Sequence, residues 1–393
     1  MDVFKESLKL HEIHQGKLEI RSKIPVASKE DLSLAYTPGV AAPCLEIEKN
    51  PDAAYQYTSK GNMVAVITDG SAVLGLGDIG PTAALPVMEG KSILLKEFAD
   101  VDSFPLCLDT QDVEEIIRTC KLMAPSLGGI NLEDISAPRC VEIERRLIDE
   151  LDIPVFHDDQ HGTAIVVAAA LMNACKLTKR PLETLKVVIC GTGAAGSSII
   201  KMLHQLGINQ MLAYSLKGII HESKVDQYND MEKELLTITN PANFIGDDTL
   251  EAALIGADVF IGVSASGLVT KEMVKKMNPD PFIFAMANPI PEIMPTEALA
   301  GGALIVGTGR SDHPNQINNV LAFPGIFRGA LDVRAKKINE EMKIAAAVAI
   351  ASCIPEADLR TDYIIPSPFD PTVVKKVASA VENAARETNV ARV

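Results

Sequence analysis

The sequence predicts an α/β protein of two domains, each built on a mostly parallel sheet. Three observations carry this. From residue 63 onward, short apolar strand patterns alternate with helical patterns. The glycine-rich run Gly191-Thr192-Gly193-Ala194-Ala195-Gly196 follows a strand pattern and opens a helical one. The 393 residues are 47% hydrophobic but only 4% aromatic, so Ala, Val, Ile and Leu must fill the cores, as suits parallel sheets covered by helices.

Taken in order, residues 1–30 are mixed and charged and read as a helix and a loop. Leu34-Ala35-Tyr36-Thr37-Pro38-Gly39-Val40 is a turn signal. Strands are expected at 63–68, 104–108, 129–132 and 153–156, and helices at 81–99 (interrupted by Gly90), 112–123 and 138–150. A small-residue turn is expected after Asp158-Asp159, then a long apolar helix at 164–174. A second unit brings strands at 185–190, 211–214, 257–263, 281–286 and 303–306, with closing helices at 342–353 and 371–388. The division falls at 1–158, an N-terminal α/β catalytic domain, and 159–393, a C-terminal Rossmann-type dinucleotide-binding domain. The helix after Asp159 joins them.

A net charge of −15 argues against nucleic acid as a partner, since phosphate binding needs a basic surface. Seven scattered cysteines with no C-x-x-C pair read as small buried hydrophobes in a reducing compartment. The N-terminus shows no signal-peptide core, and no apolar run is long enough to span a bilayer. A cytoplasmic protein without membrane contact is expected.

In the glycine-rich run, Gly191 permits the tight turn, Gly193 the approach of a pyrophosphate, and Gly196 close packing of helix on strand. The usual acid for the ribose hydroxyls is absent from the next strand end, Tyr214-Ser215-Leu216-Lys217. Ser215 would not repel a 2′-phosphate and Lys217 would attract one, yet no Arg clamps it, so NAD and NADP both stay open.

Four expected strands end in acid: Asp69, Asp109, Glu133-Asp134 and Asp158-Asp159. A single acid there is more often a turn or cap residue. Glu133, Asp134 and Asp159 together offer oxygen ligands from two strand ends, a set suited to Mg²⁺ or Mn²⁺ rather than zinc. His157 and His161 flank the tip and read as surface or supporting groups rather than ligands. Lys91 is a candidate base if it lies near a metal and out of water. On pattern alone it is an ordinary solvated lysine. Tyr36 is a candidate acid whose bland reading is a core or capping tyrosine.

Six stretches then occur in register: the Tyr36 turn; Thr68-Asp69-Gly70 with Leu74-Gly75-Leu76-Gly77-Asp78; Glu89-Gly90-Lys91; Asn131-Leu132-Glu133-Asp134-Ile135; Phe156-His157-Asp158-Asp159-Gln160-His161-Gly162-Thr163; and Asn315-Gln316-Ile317-Asn318-Asn319-Val320. Together the chain resembles the malic enzymes, in particular the short bacterial type, from about residue 10 to about residue 385. The resemblance implies oxidative decarboxylation of (S)-malate to pyruvate and CO2 with NAD or NADP and a divalent metal. It implies Glu133, Asp134 and Asp159 as metal ligands, Lys91 as general base, Tyr36 as general acid and Asp158 as the carboxylate beside the base. Asn288 and Asn319 match malate contacts, and Thr192 to Ala195 match dinucleotide contacts. It also implies a homo-oligomer, a dimer or tetramer.

One departure is visible. Animal-type malic enzymes carry an Arg in the glycine-rich stretch after residue 68 that grips a substrate carboxylate, where this chain has Ser71-Ala72-Val73. Arg310 is a replacement candidate by position. Competing readings are an amino-acid dehydrogenase of the same two-domain plan, which has no use for a carboxylate metal site, and a nucleotide-sensing protein, which needs neither Lys91 nor Tyr36.

Overall fold

The computed structural model describes residues 2–244 and 246–393. An N-terminal arm holds α1 (Val3–His14), α2 (Lys29–Ala35), α3 (Ala41–Lys49) and α4 (Ala54–Tyr57). A first sheet follows, with β1 (Met63–Thr68), α5 (Gly80–Ala99), β2 (Asp102–Cys107), α6 (Val113–Met123), β3 (Gly129–Leu132), α7 (Arg139–Glu150) and β4 (Val155–His157). Its order is β2-β1-β3-β4, all parallel. Helix α8 (Asp158–Thr178) leads to β5 (Lys186–Cys190), α9 (Ala194–Gln205), β6 (Gln210–Ser215), β7 (Gly218–Ile219), α10 (Asp230–Leu235) and α11 (Leu250–Leu254). Then come β8 (Val259–Gly262), α12 (Lys271–Val274), β9 (Phe282–Ala285), α13 (Pro295–Ala300) and β10 (Ile305–Thr308). The second sheet runs β10-β9-β8-β5-β6-β7 and is parallel except for β7. Its order reverses at β5, where open α/β sheets bind ligands. The chain closes with α14 (Phe323–Asp332), α15 (Glu340–Ala351) and α16 (Pro371–Glu387).

Helix α8 explains how the two sheets are held together. It is apolar on all sides and almost wholly buried between Ala164 and Cys175, as a central core helix is. It begins at Asp158 itself, so the expected small-residue turn is absent. Gly162 lies within the helix, and a Cβ there would sit 1.9 Å from Asp158 Oδ1. Its smallness gives room to a carboxylate rather than making a turn. Gly90 likewise does not interrupt α5, which is continuous and carries Pro86 inside it.

The closing helices do more than cap the second sheet. Phe327 of α14 meets Phe156 of β4 edge-on at 6.0 Å, and Leu331 lies where a side chain at Gly128 would be. The C-terminal chain therefore returns to cover the first sheet, and α14 and α5 pack together. Of the seven free cysteines, Cys120, Cys140, Cys175 and Cys190 are buried as expected, but Cys44 is exposed and Cys107 and Cys353 only partly covered. Among the described residues, no helix is long and apolar enough to cross a membrane.

Candidate active site

Strand pairing builds the acidic centre. Leu132 of β3 lies in register with His157 of β4, so Glu133-Asp134 and Asp158-Asp159 emerge side by side at two neighbouring carboxyl ends. Carboxylate oxygens of Glu133, Asp134 and Asp159 all lie within 4.8 Å of one another. The Asp134 backbone N–H donates to Asp159 Oδ2 at 2.8 Å, while Asp134 Oδ2 is buried with no protein partner. Burial, and then the charge of Asp159, push the Asp134 carboxyl up to about 8; burial also pushes Glu133 and Asp158 up. Buried acids that repel one another fit a cation with hard oxygen preference, and these three residues could hold Mg²⁺ or Mn²⁺.

Lys91, on α5, completes the cluster. Its ammonium bonds to Asp158, lies 3.0 Å from Glu133 Oε1, and sits 4.6 Å from the centre of the Phe323 ring. The side chain is 11% exposed. Burial disfavours its charge, but Asp158, Glu133 and Asp159 outweigh burial and hold its pKa above the ordinary lysine value. The other two acidic strand ends do not join. Asp109 is exposed, and Asp69 is buried against Arg139 Nη1 at 2.7 Å. Arg139 also donates to Ser71 and Ser136, whose backbone N–H bonds to Ser71, so it fixes the loop that in animal-type enzymes carries the substrate Arg.

A cleft of about 620 Å³ runs from Asp134 and Asp159 to the fingerprint helix at Ala194 and Ala195, with Asn288, Asn318 and Asn319 on its other wall. At the fingerprint, Gly191 has φ +112° and a Cβ on Gly196 would lie 1.9 Å from the Gly191 carbonyl, so both glycines are required by close approach. Thr192 is buried and Gly193 caps the helix from an extended conformation.

Three expected residues stand elsewhere. Ser215 is buried, and its hydroxyl donates to the Gly218 carbonyl and accepts from the Lys217 backbone N–H, closing a tight turn instead of facing a ribose. Arg310 is bound by Asp312 at 2.6 Å and by the Pro289 carbonyl at 2.7 Å, and does not line the cleft. Tyr36 is 66% exposed at the end of α2 and does not line it either.

Some participants carry no sequence signal. Glu144 of α7 is buried and accepts from the His157 backbone N–H at 2.8 Å, from Gln160, and from His161 Nε2 at 2.8 Å. Lys343 of α15 donates to His161 Nδ1 at 3.1 Å and to Glu340. Those partners assign His161 as the neutral Nε2–H tautomer, in keeping with burial, which lowers its pKa. Against burial, His161 and Lys343 hold Glu144 at about 2. His157, expected at the surface or in support, is fully buried behind the cluster. Glu292 is buried and accepts from the Ser264 and Ala287 backbone N–H groups, joining the loops after β8 and β9 next to Asn288. An acid in one helix and a lysine in another give no pattern of their own. Only the third dimension brings them together.

A carboxylate cluster with a buried lysine, opening onto a dinucleotide fold at its switch point, defines a metal-dependent, dinucleotide-linked oxidoreductase. A family model described as "Malic enzyme, N-terminal domain" matches residues 15–148, and one described as "Malic enzyme, NAD binding domain" matches 160–386. The chain is 58% identical to the bifunctional malic/malolactic enzyme of Bacillus subtilis over all of this chain and 95% of that one. It is 58% identical to the NAD-dependent malic enzyme of Geobacillus stearothermophilus over 96% of this chain and 78% of that one. The crystal structure of an NAD-dependent malic enzyme from Thermotoga maritima superposes with a TM-score of 0.92 at 50% identity, covering 96% of this chain and 98% of that one. The chain belongs to the malic enzyme family: it oxidises malate and releases CO2 to give pyruvate, with NAD or NADP as acceptor.

Proposed function

We propose that malate lies between Lys91 and the carboxylate cluster, and that Lys91 Nζ takes the proton of its C2 hydroxyl. The observation that carries this is the Lys91 ammonium set between Asp158 and Glu133 at the edge of the cluster. Glu133, Asp134 and Asp159 would hold the Mg²⁺ or Mn²⁺ ion, which supplies Lewis acidity for the charge that develops at the C2 oxygen. NAD(P) in the adjoining cleft accepts hydride from C2.

Asp158 keeps Lys91 aimed at the substrate, with Gly162 leaving room for its carboxylate. A base must be neutral when it acts. Two of the three acids that hold the Lys91 proton are ligand candidates, so neutralising their charge lets burial dominate and brings Lys91 toward the range of a base. Asn288 and Asn319 offer amides to the substrate from the opposite wall, and Thr192 to Ala195 receive the pyrophosphate. The C4 carboxylate, with no Arg among the described residues that line the cleft, is held by amide and backbone groups of that wall and of the 71–77 loop.

Protonation of C3 after CO2 leaves falls to Tyr36, which requires the arm to be covered. No residue between 2 and 63 is buried, and Phe4, Leu8, Ile13, Ile20, Leu34 and Tyr36 are all exposed. A second copy of the chain covering this apolar face makes a homodimer and brings the phenol to a catalytic cleft. The compartment is the cytoplasm, consistent with seven unpaired cysteines.

The test is reduction of NAD or NADP by malate with Mn²⁺, followed by absorbance, with pyruvate and lactate measured in the same reaction because the Bacillus subtilis relative is named for both activities. Malate-dependent reduction with stoichiometric pyruvate and CO2 is expected. Reduction that yields oxaloacetate without CO2 would contradict the assigned chemistry.

A further inference from the structure

The strand end that normally offers an acid to the adenosine ribose offers none here, and Ser215 is consumed in its own turn. A carboxylate nevertheless reaches the place from another element. Glu232, in the first turn of α10, is buried. Its Oε1 accepts from the Thr192 hydroxyl at 3.2 Å, inside the fingerprint loop. Its Oε2 accepts from Lys217 Nζ at 2.6 Å, on the turn just past β6. Glu232 thus spans the two segments between which the ribose edge of a dinucleotide lies. Lys217 is held on that side further by the Tyr228 ring, 5.6 Å away.

We propose that Glu232 takes the place of the missing strand-end acid and sets the dinucleotide choice to NAD. The Lys217 ammonium is the cation at this edge that would meet a 2′-phosphate, and Glu232 already neutralises it. NADP would have to draw Lys217 away from a buried partner and lay its phosphate dianion beside the carboxylate left behind. NAD, with a 2′-hydroxyl, needs neither.

Glu232 also closes a capping box with Asn229, accepting from the Asn229 backbone N–H at 3.2 Å while its own N–H donates to Asn229 Oδ1 at 2.9 Å. A cap alone is preserved by glutamine, which keeps the acceptor and loses only the charge. Glu232→Gln therefore separates the two roles.

The experiment titrates NADH and NADPH by fluorescence into wild type, Glu232→Gln and Glu232→Gln/Lys217→Met, without malate or metal. It consequently reads dinucleotide choice whether or not the assigned catalytic roles hold. Wild type, which needs no variant, should bind NADH at least about tenfold tighter than NADPH. Glu232→Gln should lower that ratio about tenfold or more, chiefly by tighter NADPH, and adding Lys217→Met should restore it. The proposal is overturned if wild type binds NADPH as tightly as NADH. It is equally overturned if Glu232→Gln leaves the ratio within about twofold, or if its gain survives the loss of Lys217.

Discussion

Asp134 holds φ +51°, a left-handed conformation that Asp and Asn tolerate better than most residues. It places the carboxylate in the cluster and leaves one oxygen without a protein partner. In the metal-free protein this arrangement costs stability. The folded pKa, raised to about 8, lies above the unfolded value of 3.8, so the group favours folding below pH 3.8 and that contribution is lost as pH rises through 8. Asp134→Asn keeps the backbone and removes the charge. At pH 8 the metal-free variant should melt higher than metal-free wild type. Wild type should gain about 2.7 kcal/mol from Mn²⁺ at a hundredfold excess over its Kd, and the variant should gain much less. Calorimetry with and without Mn²⁺ checks both; an equal metal increment in the two proteins would remove Asp134 from the ligand set.

Helices α7, α8 and α15 meet at Glu144, His161 and Lys343, beside Asp159, the metal-ligand candidate on α8. The sign of their pH dependence is opposite to that of Asp134. His161 is lowered from 6.5 by burial, so its contribution is present above pH 6.5 and is lost as pH falls below it. Glu144, held at about 2 against an ordinary 4.5, adds a contribution present above pH 4.5 and lost toward pH 2. Glu144→Gln should cost about 3 kcal/mol at pH 7, because it removes the buried charge that accepts from the His157 backbone, Gln160 and His161 and that Lys343 stabilises through space. It should also remove the part of the acid loss that lies between pH 4.5 and about pH 2, which urea unfolding at pH 7 and about pH 3 would show. Alternation of strand and helix made the parallel strands of both sheets legible in the sequence, though not the short antiparallel β7, and β1 and β3 fall within their expected bounds. Helix α14 was not, because Phe323 to Asp332 is short and glycine-containing and is made helical by packing on α5 and β4. The start of α8 was misplaced for a related reason: Gly162 reads as a turn until the carboxylate it clears is seen.

At the scale of the whole molecule, the clustering of Glu133, Asp134 and Asp159 was legible because parallel register carries sequence neighbours at strand ends into one place, whereas Lys91, inside α5, was singled out by the family resemblance and not by its own pattern. The surroundings of Tyr36 were not, since they depend on what covers an arm with no buried residue. If a second copy covers it and Tyr36 acts across the interface, mixing Tyr36→Phe with Lys91→Ala should restore activity. Random reassembly of two inactive variants gives about a quarter of the wild-type rate. If each Tyr36 serves its own chain, mixing adds nothing.

Lys91, buried between Asp158 and Glu133, is the group proposed to remove the hydroxyl proton of malate. The direct measurement is kcat for malate oxidation by Lys91→Ala, with Mn²⁺ and dinucleotide binding measured on the same preparation. A fall of about a thousandfold is expected, within the usual range for a lost general base, with both ligands still bound. Turnover within about tenfold of wild type would contradict it and move the proton transfer to another group.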